Sequence, residues 1–580
     1  MAYHETLLKM ATDYGDEDIK SAIIKEMKRD SGRLSDEQFT FEILNKSLDA
    51  RKKSDIHWLI RVAVISGDSG KSASNLNSNE NGKPDNSLNY DLNGNHETYL
   101  PKKSSLYIPC RKRGKKVIVA GSGPAGFFAA YVLQKSGFNA TIIERGSEVN
   151  RREIAIKEFE STGKFNSVTN YAFGEGGAGT FSDGKLTSRS KHISKEREFV
   201  LSSYVEAGAP KEILYMAHPH LGSDHLKQIV KNLRKSFINI GGTILFETMV
   251  NDLKIDGNGK VEGVSISSTT PCNYAGSSID NRIDAKNKAV VNGEIGADEV
   301  IIAPGHSSYE TYRMLMSKGV IFKTKNFAIG CRVEHPQELI NIAQWGKKSL
   351  PGVKAAEYRL TSRGDGRLPV YTFCMCPGGV VVPSTAYKNA NIVNGMSRYQ
   401  RNGKFANAAC VAGVNPDRLI LDSGAAGVLD WLESLEHDFY RYSGGYAAPF
   451  CSIQNFIDKK LGGNRANPNE ISYSNSDNNV ESSYPLGLKL APLWELLPVE
   501  VASAIRAGLE DFSRKIRNFE TGLIMGLESK TSAPVVAVRE KNFCCTGFEN
   551  LYMAGEGSGH SGGIISSASD GIRVAMSIIM

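Results

Sequence analysis

Ten residues, Val117-Ile-Val-Ala-Gly-Ser-Gly-Pro-Ala-Gly126, constrain the fold of this 580-residue chain more than any others. Four apolar residues read as a buried parallel strand, and Gly121, Gly123 and Gly126 follow as GxGxxG. A helical run from Phe127 to Lys135 comes next, then a second apolar strand in Thr141-Ile-Ile-Glu-Arg145. Glu144 stands 23 positions after Gly121. Strand, turn, helix, strand and acid together make the unit that holds a dinucleotide. Gly121 permits the tight turn, Gly123 lets backbone approach a pyrophosphate, and Gly126 lets the helix pack against the strand. Ser122, Pro124 and Ala125 complete the turn, and the helix N-terminus offers N–H groups and a positive dipole end to the phosphates. Glu144 is expected to accept hydrogen bonds from a ribose diol and to repel a 2′-phosphate. Arg145 reads either as a contact to adenine or diphosphate, or as an exposed arginine at a strand end.

The rest of the chain sets limits. Its length suggests two to four domains, and 41% apolar residues suffice for globular cores. A formal charge of +7 does not point to nucleic acid. The basic run Arg111-Lys-Arg-Gly-Lys-Lys116 reads as a solvated approach to the first strand. No apolar run approaches the roughly 20 residues of a membrane helix, and Asp13, Asp16, Glu17 and Asp18 do not suit a signal peptide. Nine cysteines with no CxxC and no zinc spacing suggest a reduced chain without disulfides or metal. A soluble, intracellular, cytoplasmic protein is expected, or one of the plastid stroma if a longer precursor exists.

Composition divides the chain. Residues 1–66 read as a small α/β domain, with helices at Ala22–Met27 and Phe39–Ala50 and a strand at Ile56–Ile65. Residues 67–114 form a polar linker, whose Ser- and Asn-rich stretch 68–98 lacks the apolar residues a core needs. Residues 115–311 hold the first part of the nucleotide domain, 312–529 a substrate or cap domain, and 530–580 the last part of the nucleotide domain. A polar patch at 463–484 reads as a loop insertion.

Near the end, Thr546-Gly-Phe-Glu-Asn-Leu-Tyr-Met-Ala-Gly-Glu556 resembles the second fingerprint of two-dinucleotide-fold flavoproteins. The acid after that glycine there binds the ribityl chain of FAD. It is usually Asp, and Glu556 is one methylene longer. Asp298-Glu-Val-Ile-Ile-Ala-Pro-Gly305 resembles the strand and glycine turn that close the same domain. Residues 557–562 again spell GxGxxG, but no strand with an acid follows, so a second nucleotide site is not expected there. The better reading is a helix N-terminus, with Gly562, Gly563 and Ile564 at its start, aimed at the flavin ring to stabilise negative charge. His560 in that turn reads equally as a flavin or substrate contact and as a helix cap.

Further motifs carry a closer resemblance: Asn170-Tyr-Ala-Phe-Gly-Glu-Gly-Gly-Ala-Gly-Thr-Phe-Ser-Asp-Gly-Lys-Leu186, His218-Pro-His-Leu-Gly222, Phe327-Ala-Ile-Gly-Cys-Arg-Val-Glu-His-Pro336 and Phe373-Cys-Met-Cys-Pro-Gly-Gly379. With Asn394-Gly-Met-Ser397 and Gly555–Ile564, they make the chain resemble the FAD-dependent "NAD(FAD)-utilizing" dehydrogenases over nearly its whole length. The resemblance implies an α/β, two-dinucleotide-fold-type flavoprotein. It would have a discontinuous Rossmann-like FAD domain, a second α+β substrate domain and a small N-terminal α/β domain. It implies a soluble FAD oxidoreductase acting on a small-molecule substrate or electron donor, with NAD(P)H as a transient donor. The alternatives are a flavin-bearing binding or assembly protein that uses its N-terminal domain for a partner, and a nicotinamide-only dehydrogenase.

In the loop 174–179, backbone N–H groups around Gly176 and Gly177 can donate to a flavin ring or pyrophosphate, with Lys185 adding charge. Cys374 and Cys376, at i and i+2 on a strand, are expected on one face. They read as a nucleophile or redox partner near the flavin, or as small packing residues. Arg332, Glu334 and His335 read as an anion-binding group or as a structural ion-pair cluster.

Overall fold

The structure, a computed structural model, describes residues 2–31, 39–66, 106–268, 278–284, 288–420, 424–461 and 480–580. The Ser- and Asn-rich stretch 68–98 and most of the expected insertion at 463–484 lie outside the described residues. Two units emerge. One is residues 1–105 with 214–218 and 350–353, and the other is 106–213, 219–349 and 354–580.

The first unit is a strand Ala2–Met10, a helix Asp16–Ser31 and two strands, Phe39–Asp49 and His57–Ser66. The last strand is central, antiparallel to both others. The helix expected over Phe39–Ala50 is therefore a strand. Phe39, Phe41 and Ile43 recur every second residue and pack on the core of Ile19, Ile23, Ile60, Val62 and Val64, a period that suits a strand. Asp16, Glu17 and Asp18 occupy the first turn of the helix, where the dipole favours them.

The second unit is built on a five-stranded sheet in the order Leu551–Met553, Glu299–Ile302, Lys116–Ala120, Asn139–Ile143, Thr243–Leu245, parallel throughout. Three adjacent strands thus come from three distant parts of the chain. Parallel strands with apolar residues on both faces need cover on both sides. The helices Pro124–Lys135 and Ile564–Ile579 provide part of it, and their approach is close. A Cβ on Gly571 would lie 2.0 Å from the Ala125 carbonyl oxygen. An antiparallel four-stranded sheet runs through Thr248–Ile255, Val261–Ser268, Lys288–Gly296 and Ser278–Asp284.

A larger mixed sheet is drawn from residues 327 to 528. Its long members are Phe327–Pro336, Val370–Pro383, Phe405–Val414 and Leu523–Glu528, mutually antiparallel where they pair. The helix Val499–Lys515 buries Ala504, Ile505, Gly508 and Phe512. No helix among the described residues is long and apolar enough to cross a membrane.

Candidate functional site

The carboxyl ends of three neighbouring parallel strands gather the glycine turns. The Lys116–Ala120 strand ends in Gly121–Gly126, the Glu299–Ile302 strand in Ala303–His306, and the Leu551–Met553 strand in Gly555–Gly563. In open α/β sheets this edge is where ligands bind.

The glycines in these turns differ in what surrounds them. Gly121 has φ 103°, and a Cβ there would sit 2.2 Å from the Ala303 carbonyl oxygen. A Cβ on Gly126 would sit 1.9 Å from the Gly121 carbonyl oxygen. Both are demanded by the protein itself. Gly123 is otherwise: its φ is −63°, open to any residue, and a Cβ would meet only the Gly177 Cα at 3.8 Å. The space beside Gly123 is kept open against no protein neighbour, as a phosphate-approaching glycine requires. Gly123 is also the helix N-cap and supplies no side-chain cap, and Gly563 stands the same way before Ile564. Both helices therefore leave first-turn N–H groups at the edge for an anion.

The loop 174–179 lies against these turns. Gly177 approaches Gly123, and Gly179 approaches Ile564. Its shape is fixed by Arg152, a residue sequence reasoning missed. Arg152 is fully buried on the helix Val149–Thr162 and donates to the carbonyls of Asn170, Tyr171, Gly174, Glu175 and Gly177, at 2.8–3.2 Å. Nothing in the sequence marks it, because its five acceptors are all backbone. Burial pulls its guanidinium down to about 10.

Glu144 sits at the end of its strand as expected, but its carboxylate is already engaged. Ser122 donates to it from N at 2.9 Å and from Oγ at 2.7 Å, Gly146 N at 2.9 Å and Gly174 N at 3.0 Å. A carboxylate offers about four acceptor sites, so a ribose diol would share an oxygen with these donors. Glu144 thus ties the segments at Ser122, Gly146 and Gly174 into one wall. Arg145 is turned to Glu310 and lies over the Phe173 ring at 3.8 Å, which directs its charge into the protein.

Lys185 does not join the glycine turns. Its ammonium donates to Asp183 and to the Met375 carbonyl. Asp183 also takes Arg401 at 2.7 Å and the Ser397 hydroxyl. Burial opposes the charge of Asp183, yet Lys185 and Arg401 hold its carboxyl well below the usual range. Burial and the neighbouring Arg401 push the His220 ring down to about 4.

The two cysteines are corrected by the structure. Cys374 has φ 43°, and the register breaks between Phe373 and Cys376. This bulge ends the strand alternation, so the thiols do not share a face: Cys374 is exposed and Cys376 buried. The bulge is pinned by Arg332, which donates to the Cys374 carbonyl at 2.7 Å. Burial raises the Cys376 thiol, against the pull of Lys185 and Arg332. That disfavours the thiolate a nucleophile needs.

Arg332 is fully buried, pairs with Glu528 at 2.8 Å and takes Asn407 Oδ1 at 2.7 Å. Glu334 instead accepts from Ser483, and His335 from its Nε2 engages the Phe519 carbonyl at 2.7 Å. Burial pushes the His335 ring down to about 4. The three residues make separate structural attachments, not one anion site. His560 is exposed, and its Nε2 is tied to the Ala537 carbonyl at 3.0 Å. Gly562 and Gly563 are open to solvent. Glu556 carries its Oε2 3.3 Å from Nδ1 of His306, a residue sequence reasoning passed over although it directly follows Gly305.

Residues 326–531 match the family described as "FAD-dependent protein, C-terminal domain-like". An uncharacterised protein of Clostridium beijerinckii is 35% identical over 544 residues, covering 93% of this chain and 92% of its own. Among solved structures, a geranylgeranyl bacteriochlorophyll reductase-like protein of Thermoplasma acidophilum is 14% identical, with 80% of this chain and 78% of that one covered and a TM-score of 0.32. CtdE in complex with FAD is 10% identical, with 80% and 84% covered and a TM-score of 0.30.

Proposed function

Because the chain belongs to the FAD-dependent protein family, we propose that it is an oxidoreductase that holds FAD non-covalently along the carboxyl edge of its parallel sheet and exchanges a hydride with a small-molecule substrate or a nicotinamide donor. One observation carries the reading. Three glycine turns from distant parts of the chain meet at one sheet edge, around a Gly123 that no protein atom crowds. The residues fit the cofactor. Backbone at Gly123, Gly176 and Gly177 and the helix start at Pro124 would receive the pyrophosphate. Gly305, Gly555 and Glu556 would hold the ribityl half, and the start of the helix at Gly562, Gly563 and Ile564 would face the ring.

FAD supplies two-electron chemistry when bound; the chain supplies place, charge and dryness. In this reading Lys185, held against Met375 of the large sheet with its side chain 31% exposed, would line the wall across from the glycine turns. It suits an anionic or carbonyl group of a substrate. The Cys374 bulge, fixed by Arg332, shapes the same wall, and its thiols serve as packing and lining groups.

The test is to purify the protein, denature it and identify the flavin released. FAD is expected in the supernatant. FMN alone, a flavin bound to peptide, or a colourless protein that takes up no FAD would end this reading.

A further inference from the structure

The His306 ring stands near two carboxylates. Its Nδ1 is 3.3 Å from Oε2 of Glu556, and the Oε1 of that glutamate takes no hydrogen bond from a described residue. The ring is also within electrostatic reach of Glu528. Glu528 gives its Oε2 to Arg332, while its Oε1 is buried without a partner. His306 Nε2 is buried without a partner too. An unpartnered buried polar atom costs about 1–3 kcal/mol, and these two sit on groups whose charges interact, so one bridging group would satisfy both. Water has the right chemistry, with one hydrogen for the ring nitrogen and one for the carboxylate oxygen.

We propose that His306 is a positioning residue of the FAD site, orienting Glu556 through Nδ1–H while a buried water anchors its Nε2 to the Glu528–Arg332 pair. This rests on the FAD reading above. The tautomer follows from the partners: a proton on Nδ1 faces the Glu556 carboxylate at 3.3 Å, and Nε2 is left to accept from the water. Glu556 then has Oε1 left for the ribityl hydroxyls. The longer side chain of glutamate, compared with aspartate, fits an acid that must reach a histidine and a ligand at once. Lys325 and Tyr312 also feel the Glu556 charge, so His306 is one of several groups around that carboxylate, but the one beside its Oε2. Arg332 holds the Cys374 carbonyl as well, so the same buried pair also fixes the Cys374 bulge.

The test uses apoprotein of the full chain titrated with FAD, followed by flavin fluorescence, with thermal melts of each apoprotein as control. His306→Ala should weaken FAD binding about tenfold, and His306→Gln, whose amide N–H can replace Nδ1–H, should recover most of it. Combined with Glu556→Ala, His306→Ala should cost nothing further, as expected of residues acting through one contact. If both His306 variants bind FAD like the wild type, or if the losses of His306→Ala and Glu556→Ala add, the inference is overturned. If the wild-type apoprotein itself takes up no FAD, the function reading fails instead, which the titration shows separately. Should His306→Ala melt well below the wild type, the His306→Gln arm decides alone: affinity between wild type and Glu556→Ala supports the inference, and affinity as low as Glu556→Ala refutes it.

Discussion

Gly123 and Gly126 occupy one motif and answer to different masters. A methyl group on Gly126 would collide with the Gly121 carbonyl at 1.9 Å, so Gly126→Ala should unfold or badly destabilise the unit. A methyl group on Gly123 would make only an ordinary contact with Gly177. Gly123→Ala should therefore melt like the wild-type apoprotein and lose FAD affinity by about a hundredfold, near 2.7 kcal/mol. Melting curves and flavin content, measured on both variants, check the pair of outcomes. The cysteines show what a residue pattern hides. Period two placed Cys374 and Cys376 together, but a bulge with a left-handed Cys374 separated them. The Cys374→Ser, Cys376→Ser double variant should keep FAD and its rates of reduction and reoxidation by stopped flow. A loss of either rate with FAD retained would return the thiols to the mechanism.

At the scale of elements, the glycine loop and the helix beneath it are one device. Glu175 sits in that loop and accepts from Val149 N at 2.7 Å at the start of the helix that carries Arg152. Burial pushes the Glu175 carboxyl up to about 7, despite that N–H and Arg234. An acid raised in the folded state binds a proton that the unfolded chain has released. Its contribution is thus full below the unfolded value near 4.5 and is lost as pH rises through 7. Stability from this group should fall by up to about 3 kcal/mol over that window. Glu175→Gln should flatten the slope, which denaturant titrations at pH 4.5, 6 and 8 would reveal; an unchanged slope would place Glu175 in the ordinary carboxylate range. The first strand, its glycine turn, the helix after it and the terminal helix were legible because strong periodicity and glycine spacing are local signals. Arg152 was not, since backbone carbonyls have no signature in sequence. The strand Phe39–Asp49 was misread as a helix because its polar insertions, Asn45 and Lys46 beside a bulge, break the period-two pattern.

At the scale of the whole molecule, the site exists only because strands near 118, 300 and 552 become neighbours. No short window of sequence contains that fact. What the sequence does contain is three glycine turns, each preceded by an apolar strand, and parallel pairing then obliges all three to face the same edge. A ligand laid across them would link the two ends of the second unit and stabilise it as a body. FAD at a hundred times its dissociation constant should add about 2.7 kcal/mol, and the melting transition should climb with the logarithm of FAD concentration. The first unit has its own core of Leu8, Ile19, Ile60 and Val62 and contributes no residue to the glycine turns. Any transition belonging to that unit should therefore stay where it is. Calorimetry of the full chain with and without FAD, repeated on Gly123→Ala, separates the contributions. A shift in the wild type and none in Gly123→Ala is the expected pattern. An equal shift in both would mean that FAD stabilises the chain from somewhere other than the edge where the three turns meet.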